Sequence, residues 1–87
     1  MKIQIDPHTL EKAIERGASR EEIIEVITDG KIISAKYHRV GKSKVFAFKA
    51  NRNGKYFKEK KIEVFYVIEG VTIVTVTVYV FYGRWEF

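Results

Sequence analysis

The stretch "KKIEVFYVIEGVTIVTVTVYVFY", Lys60 to Tyr82, decides the fold. Apolar and polar residues alternate along both of its arms, and side chains alternate between the two faces of a strand. The Glu69-Gly70 step between the arms predicts a tight turn, so the stretch reads as one long β-hairpin. A two-residue turn there sets Ile68 opposite Val71, Tyr66 opposite Ile73 and Val64 opposite Thr75. In the second arm Val74, Val76, Val78 and Val80 are expected on one face. Thr75, Thr77, Tyr79 and Phe81 fall on the other.

Working outward, "KIISAKYHRV" predicts a strand, "GKSK" a tight turn and "KVFAFKA" the returning strand. On the returning strand Val45, Ala47 and Lys49 share one face, and Phe46 and Phe48 the other. "NRNGK" supplies the Asn-Gly step that hairpin turns favour. Upstream of Gly30 the period becomes helical. Asp6-Pro7 predicts an N-cap and first-turn proline for a helix from Pro7 to Arg16, with Gly17 as its left-handed stop and Leu10, Ala13 and Ile14 as its buried stripe. Ser19 and Glu22 form a capping box for a second helix, which turns Ile23, Ile24 and Ile27 inward and ends at Gly30. The opening "MKIQI" alternates like a short strand. Two helices followed by hairpin-linked strands predict a single α+β domain over residues 1–87, with the helices on one face of a mostly antiparallel sheet and the other face partly open.

The 87 residues contain no cysteine, which excludes disulfides, cysteine–zinc sites and a thiol nucleophile. No run approaches the roughly 18 apolar residues of a spanning helix, and the N-terminus lacks the apolar core of a signal peptide, so a cytoplasmic protein without membrane contact is expected. "GKSK" lacks the spaced upstream glycine of a phosphate loop. His8 and His38 have no partners at metal-ligand spacing, and no cofactor is implied. Sixteen Lys and Arg against eleven Asp and Glu give a net charge of +5, compatible with a polyanionic partner. Lys44, Lys49, Lys58, Lys60 and Lys61 interleave with Phe46, Phe48, Tyr56 and Phe57. Cations for the backbone and aromatic faces for unstacked bases suit single-stranded RNA. Lysines on exposed strands also guard against edge-to-edge pairing, and aromatic residues also build cores.

The pattern "HTLEKAIERG", then "SREEIIEVI", a basic hairpin and the terminal "TVTVYVFYGRW" resembles a family of small prokaryotic proteins grouped with the RelE/ParE-like toxins and, more broadly, with the barnase–colicin–RelE set of ribonuclease folds. The resemblance covers nearly the whole chain. It implies a metal-independent endoribonuclease acting on RNA, ribosome-associated mRNA included, or a degenerate relative of one, and as the alternative a non-catalytic binding module for a protein such as an antitoxin or gyrase. It also implies a cognate antitoxin whose acidic segment would cover the basic face. Pairing of the final hairpin between two copies leaves a homodimer open.

Cleavage by 2′-hydroxyl attack without a metal needs a base, an acid and cations for the phosphorane. His8 is the first candidate for the base, because a histidine's ordinary pKa of about 6.5 lies near neutrality. The positive end of a helix dipole disfavours an added proton there, which suits a base. Lys49 of the middle hairpin, Arg84 for transition-state charge and the Tyr82 phenol complete the expected catalytic set. Lys12 and Arg16 lie four and eight residues beyond His8 on one drifting helix face, and Arg16 is equally suited to the helix's own last carbonyls. Lys44, Lys58 and Lys60 are the expected phosphate contacts of the hairpins. Thr75, Thr77 and Tyr79 are expected to offer hydroxyls from the open face, and Trp85 a stacking surface. A threonine ladder also simply stabilises a sheet.

Overall fold

The structure, a computed structural model, describes residues 1–86. It is α+β. β1 (Lys2–Ile5) leads into α1 (Pro7–Arg16) and α2 (Arg20–Asp29), followed by β2 (Lys31–Ile33), β3 (Val40–Arg52), β4 (Lys55–Glu69) and β5 (Thr72–Gly83). The five strands form one mixed sheet in the order β1-β5-β4-β3-β2. All neighbours are antiparallel except β1 and β5, which run parallel.

Both helices start and stop where their sequence signals lie. The Asp6 carboxylate accepts the backbone N–H groups of His8 and Thr9, and Gly17 closes α1 in the left-handed region at φ 104°. Gly17 has a second reason to be glycine. A Cβ there would lie 1.9 Å from the Tyr82 hydroxyl, which donates to the Arg16 carbonyl. Ser19 and Glu22 complete the reciprocal capping box of α2. The helices bury Ala13, Ile23, Val26 and Ile27 against Ile62, Val64, Tyr66, Ile73 and Val78 of β4 and β5. Ile14, expected inside, is 59% exposed.

The strands depart from their expected registers at three places. First, "GKSK" is not a turn. β3 runs straight through it, and the reversal lies at residues 34–39, where Tyr37 and His38 adopt φ of 60° and 59°. Gly41 pairs within the strand with Phe65, whose ring would stand 2.8 Å from a Cβ at that position and so requires glycine. Second, a bulge in β3 sets Phe48 and Lys49 opposite Lys58, with Lys49 at φ 48°, so the expected alternation ends there. The Asn53-Gly54 turn that follows has both φ values positive, as a type I′ hairpin requires.

Third, β4 and β5 turn at Gly70-Val71 with Glu69 opposite Thr72, so Ile68 faces Ile73 and not Val71. A second irregularity follows: Tyr66 pairs with Thr75 but Phe65 with Thr77, which leaves Val76 as an extra residue. One extra residue exchanges the two faces of the strand. Thr75 therefore shares the core side with Ile73 and Val78, and is 2% exposed, whereas Thr77, Tyr79 and Phe81 lie on the open side. The expectation that Thr75 sits on the open face is corrected by this bulge.

The Thr75 hydroxyl is buried without a hydrogen-bond partner. An unsatisfied buried hydroxyl costs about 1–3 kcal/mol. Replacing it by a methyl group of the same shape, Thr75→Val, is expected to raise unfolding stability by about 1 kcal/mol in urea titrations. By contrast Gly17→Ala is expected to lower it by at least about 1–2 kcal/mol, the cost of a left-handed alanine, with the Tyr82 clash in addition.

Candidate nucleic-acid interface

β1 is only four residues long and pairs with β5 from Thr72 to Thr75. Beyond Thr75, among the described residues, no strand covers the outer edge of β5, and α1 runs beside it. Arg16, in the last turn of α1, reaches across and donates from Nη1 to the Val78 carbonyl at 2.7 Å. Its guanidinium also lies 5.7 Å from the centre of the Tyr79 ring. Neither of the roles expected for Arg16 from the sequence includes this bond to β5.

The bond places a groove of about 310 Å³ between α1 and β5, lined by His8, Thr9, Lys12, Arg16 and β5 residues 76–79. A neighbouring hollow of about 160 Å³ on the open face is lined by Lys36, Tyr37, Arg39, Phe65, Thr77 and Tyr79. Thr77 and Tyr79 are common to both, so the two form one surface folded around the edge of β5. It carries Lys12, Arg16, Lys36, Arg39 and His8, and no carboxylate lines it among the described residues. Tyr79 is 44% exposed and packs edge-on against Phe65 with ring centres 6.0 Å apart. Cations around exposed aromatic rings fit a polyanion whose bases are unstacked.

The structure distributes the expected catalytic residues among separate places. His8 lines the α1–β5 groove. Tyr82 and Arg84 line a different cavity of about 490 Å³ near the tip of the β3–β4 hairpin, together with Lys55, Tyr56, Phe57, Lys58 and Gly83. Lys49 lines a third, with Ala47, Lys58 and Glu59. Burial pushes the Tyr82 phenol above its ordinary value of 10.0, with Arg52 pulling partly the other way. With its proton already donated to the Arg16 carbonyl, Tyr82 is poorly suited to giving that proton up.

Two of the expected RNA-binding lysines are built into the scaffold. Lys60 is 9% exposed and donates to the Gly17 carbonyl at 2.8 Å and to Glu22 at 3.0 Å, tying the α1–α2 junction to β4. Burial would raise the Glu22 carboxyl, but the Ser19 backbone N–H and the Lys60 ammonium outweigh it and hold it below its ordinary value. Lys44 is paired with Glu25 of α2. Thr75, as described, is buried. Lys36, Tyr37 and Arg39 join the surface without having been expected, because the reversal at residues 34–39 contains no glycine or proline to announce it.

Arg84 and Trp85 are placed by Glu59. This carboxylate is 4% exposed, and its Oε1 accepts the backbone N–H groups of Trp85 at 2.6 Å and Glu86 at 3.1 Å. The Lys61 ammonium lies 5.2 Å from the Trp85 ring and 5.6 Å from that of Phe81. Trp85 thus stacks on a cation of its own chain.

The bonds from Trp85 and Glu86 hold the Glu59 carboxyl below its ordinary value of 4.5, against the opposing effect of burial. A folded value below the unfolded one means that ionisation stabilises the fold. The contribution is complete above the unfolded value and is lost as the pH falls through the folded one. Trp85 is the only tryptophan, so its fluorescence reports the tail. A red shift is expected on acidification below about pH 4.5, and Glu59→Gln is expected to remove that step.

Comparisons of the chain with protein-family models, with curated proteins and with solved structures found no match.

Proposed function

We propose that the protein is a RelE/ParE-like, toxin-type protein that acts on single-stranded RNA as a metal-independent endoribonuclease. The observation that carries this reading is the surface around Tyr79: two adjoining hollows share Thr77 and Tyr79 and bring together five basic side chains with no carboxylate among the described residues. In this reading a phosphate lies between Lys12 and Arg16, with Lys36 and Arg39 holding its neighbour. Tyr79 stacks on a base, and the Thr77 hydroxyl bonds a phosphate oxygen. His8, at the end of the groove, takes the proton of the attacking 2′-hydroxyl. Lys12 and Arg16 stabilise the charge that develops on the phosphorane, and as the P–O5′ bond breaks to leave a 2′,3′-cyclic phosphate the departing 5′-oxygen takes its proton from solvent water. Lys49 and Arg84 line other cavities and have no part in this step.

A second reading is a non-catalytic module that docks a protein such as an antitoxin or gyrase. The uncovered edge of β5 favours it. Because the Val78 carbonyl faces outward to Arg16, the alternation of an antiparallel ladder turns the backbone groups of Val80 and Tyr82 outward too, where an added strand would pair.

RNA cleavage in the presence of excess chelator separates the two readings. Removing a general base lowers rates by about 10²–10⁴-fold, so His8→Ala is expected to reduce cleavage at least about 100-fold while leaving oligonucleotide affinity within about threefold. Lys12→Ala is expected to weaken binding, more strongly at low salt. Wild type that arrests growth without new RNA ends would favour the protein-docking reading. Cleavage undiminished in His8→Ala would remove His8 from the reaction.

A further inference from the structure

The cavity at the tip of the β3–β4 hairpin is as rich in cations and rings as the groove beside α1, and it lies at the other end of the same uncovered edge. Lys55, Tyr56, Phe57, Lys58, Tyr82 and Arg84 line it, and no carboxylate does among the described residues. Its rings are held and its cations are close. Phe57 and Tyr82 pack with centres 5.6 Å apart, the Lys55 ammonium lies 5.5 Å from the Phe57 ring, and the Arg52 guanidinium 4.9 Å from the Tyr82 ring. Tyr56 is 59% exposed beside the Asn53-Gly54 turn. The turn is a tight type I′ one, and the Glu59 bonds to Trp85 and Glu86 fix the backbone just after Arg84. The site is therefore laid out on strand ends, not on a loose loop.

Thr77 belongs to the first surface and Gly83 to this cavity. Six strand residues at about 3.3 Å each separate Thr77 from Gly83 by about 20 Å, while the facing ends of the two linings, Tyr79 and Tyr82, are three residues apart, about 10 Å. The longer span sets Arg84 apart from the Val76–Thr77 end of the groove. It matches about six nucleotides at the 3.4 Å spacing of a stacked strand, and fewer when the strand is extended. Between the two ends, Arg16 and Arg52 are both anchored at the C-terminal turn of α1. Arg16 bonds the Val78 carbonyl, and Arg52 the Glu15 carbonyl at 2.8 Å. Cationic groups thus mark the way from one cavity to the other.

We infer that the hairpin-tip cavity is a distal anchoring subsite for the same single-stranded RNA, in which Tyr56 stacks on a base while Lys55 and Arg84 hold its phosphates. This rests on the RNA reading of the α1–β5 groove and adds a length requirement to it. The protein grips a segment of several nucleotides at both ends and discriminates against shorter ones. Arg84 becomes a binding residue and not a stabiliser of the transition state.

The test is fluorescence anisotropy of labelled oligouridylates of 4 and 12 nucleotides with His8→Ala protein, in which cleavage is slow on the timescale of the binding measurement. The 12-mer is expected to bind at least tenfold more tightly than the 4-mer. In the Lys55→Ala/Arg84→Ala variant that advantage is expected to disappear, with affinity for the 4-mer unchanged. Two lost phosphate contacts should reduce the slope of log affinity against log salt for the 12-mer by about 1.4, at about 0.7 per single-strand phosphate. Tyr56→Ala, at a position that is 59% exposed, should weaken the 12-mer alone. Equal binding of both lengths by the unmodified site, or a 12-mer advantage that survives the double substitution, overturns the subsite and leaves the groove standing. Binding of neither length overturns both. Binding of a polyglutamate peptide but of no oligonucleotide also overturns it, and assigns the cavity to an acidic protein segment.

Discussion

Every backbone carbonyl and amide in a folded chain needs a partner, and the outer edge of β5 meets that demand in two ways. From Thr72 to Thr75 it is paired with β1, and at Val78 its carbonyl accepts the Arg16 guanidinium. The change from strand to side chain is what makes room for a groove. Had β1 been eight residues long, it would have covered the edge and displaced α1 outward. Because it stops at Ile5, α1 lies close enough to β5 for His8, Lys12 and Arg16 to face the same strand as Tyr79.

The charges divide accordingly. Lys44 and Lys60 are consumed by Glu25 and Glu22 in fastening the helices to the sheet, and Lys61 is held between two rings. Ion pairs that are partly exposed contribute little to stability, so the value of the Lys60–Glu22 contact lies mainly in satisfying the Gly17 carbonyl and a buried ammonium together. Lys12, Arg16, Lys36 and Arg39 line the hollows beside β5, and Lys55, Lys58 and Arg84 the cavity at the hairpin tip. Net charge in the sequence counts all lysines alike, and only the fold tells fasteners from contacts.

Much of the architecture is legible in the residues. Asp6-Pro7, Gly17, Ser19 with Glu22, and Asn53-Gly54 each act through local backbone chemistry, and each lies where that chemistry puts it. The features that escape are those without a local cause. The bulge at Val76 takes Thr75 off the open face and into the core, and leaves Thr77 on the face where it was expected. The reversal at residues 34–39 uses Tyr37 and His38 in a conformation that neither residue type advertises. In the site, His8, Lys12 and Arg16 are readable as a helix face, and their companions Lys36 and Arg39 are not, because they come from a loop misread as strand.

The order of the sheet bears on when the groove comes into being during synthesis. β1 is made early, yet its only neighbour in the sheet is β5, made after the whole β3–β4 hairpin. Contacts so distant along the chain form slowly and late. A nascent polypeptide that ends before Thr72 has two helices whose inner faces lack Ile73 and Val78, and it lacks β5, the wall of the groove that faces α1. Whatever the groove grips, the ribosome that is making the protein is not exposed to it until β5 has emerged and docked.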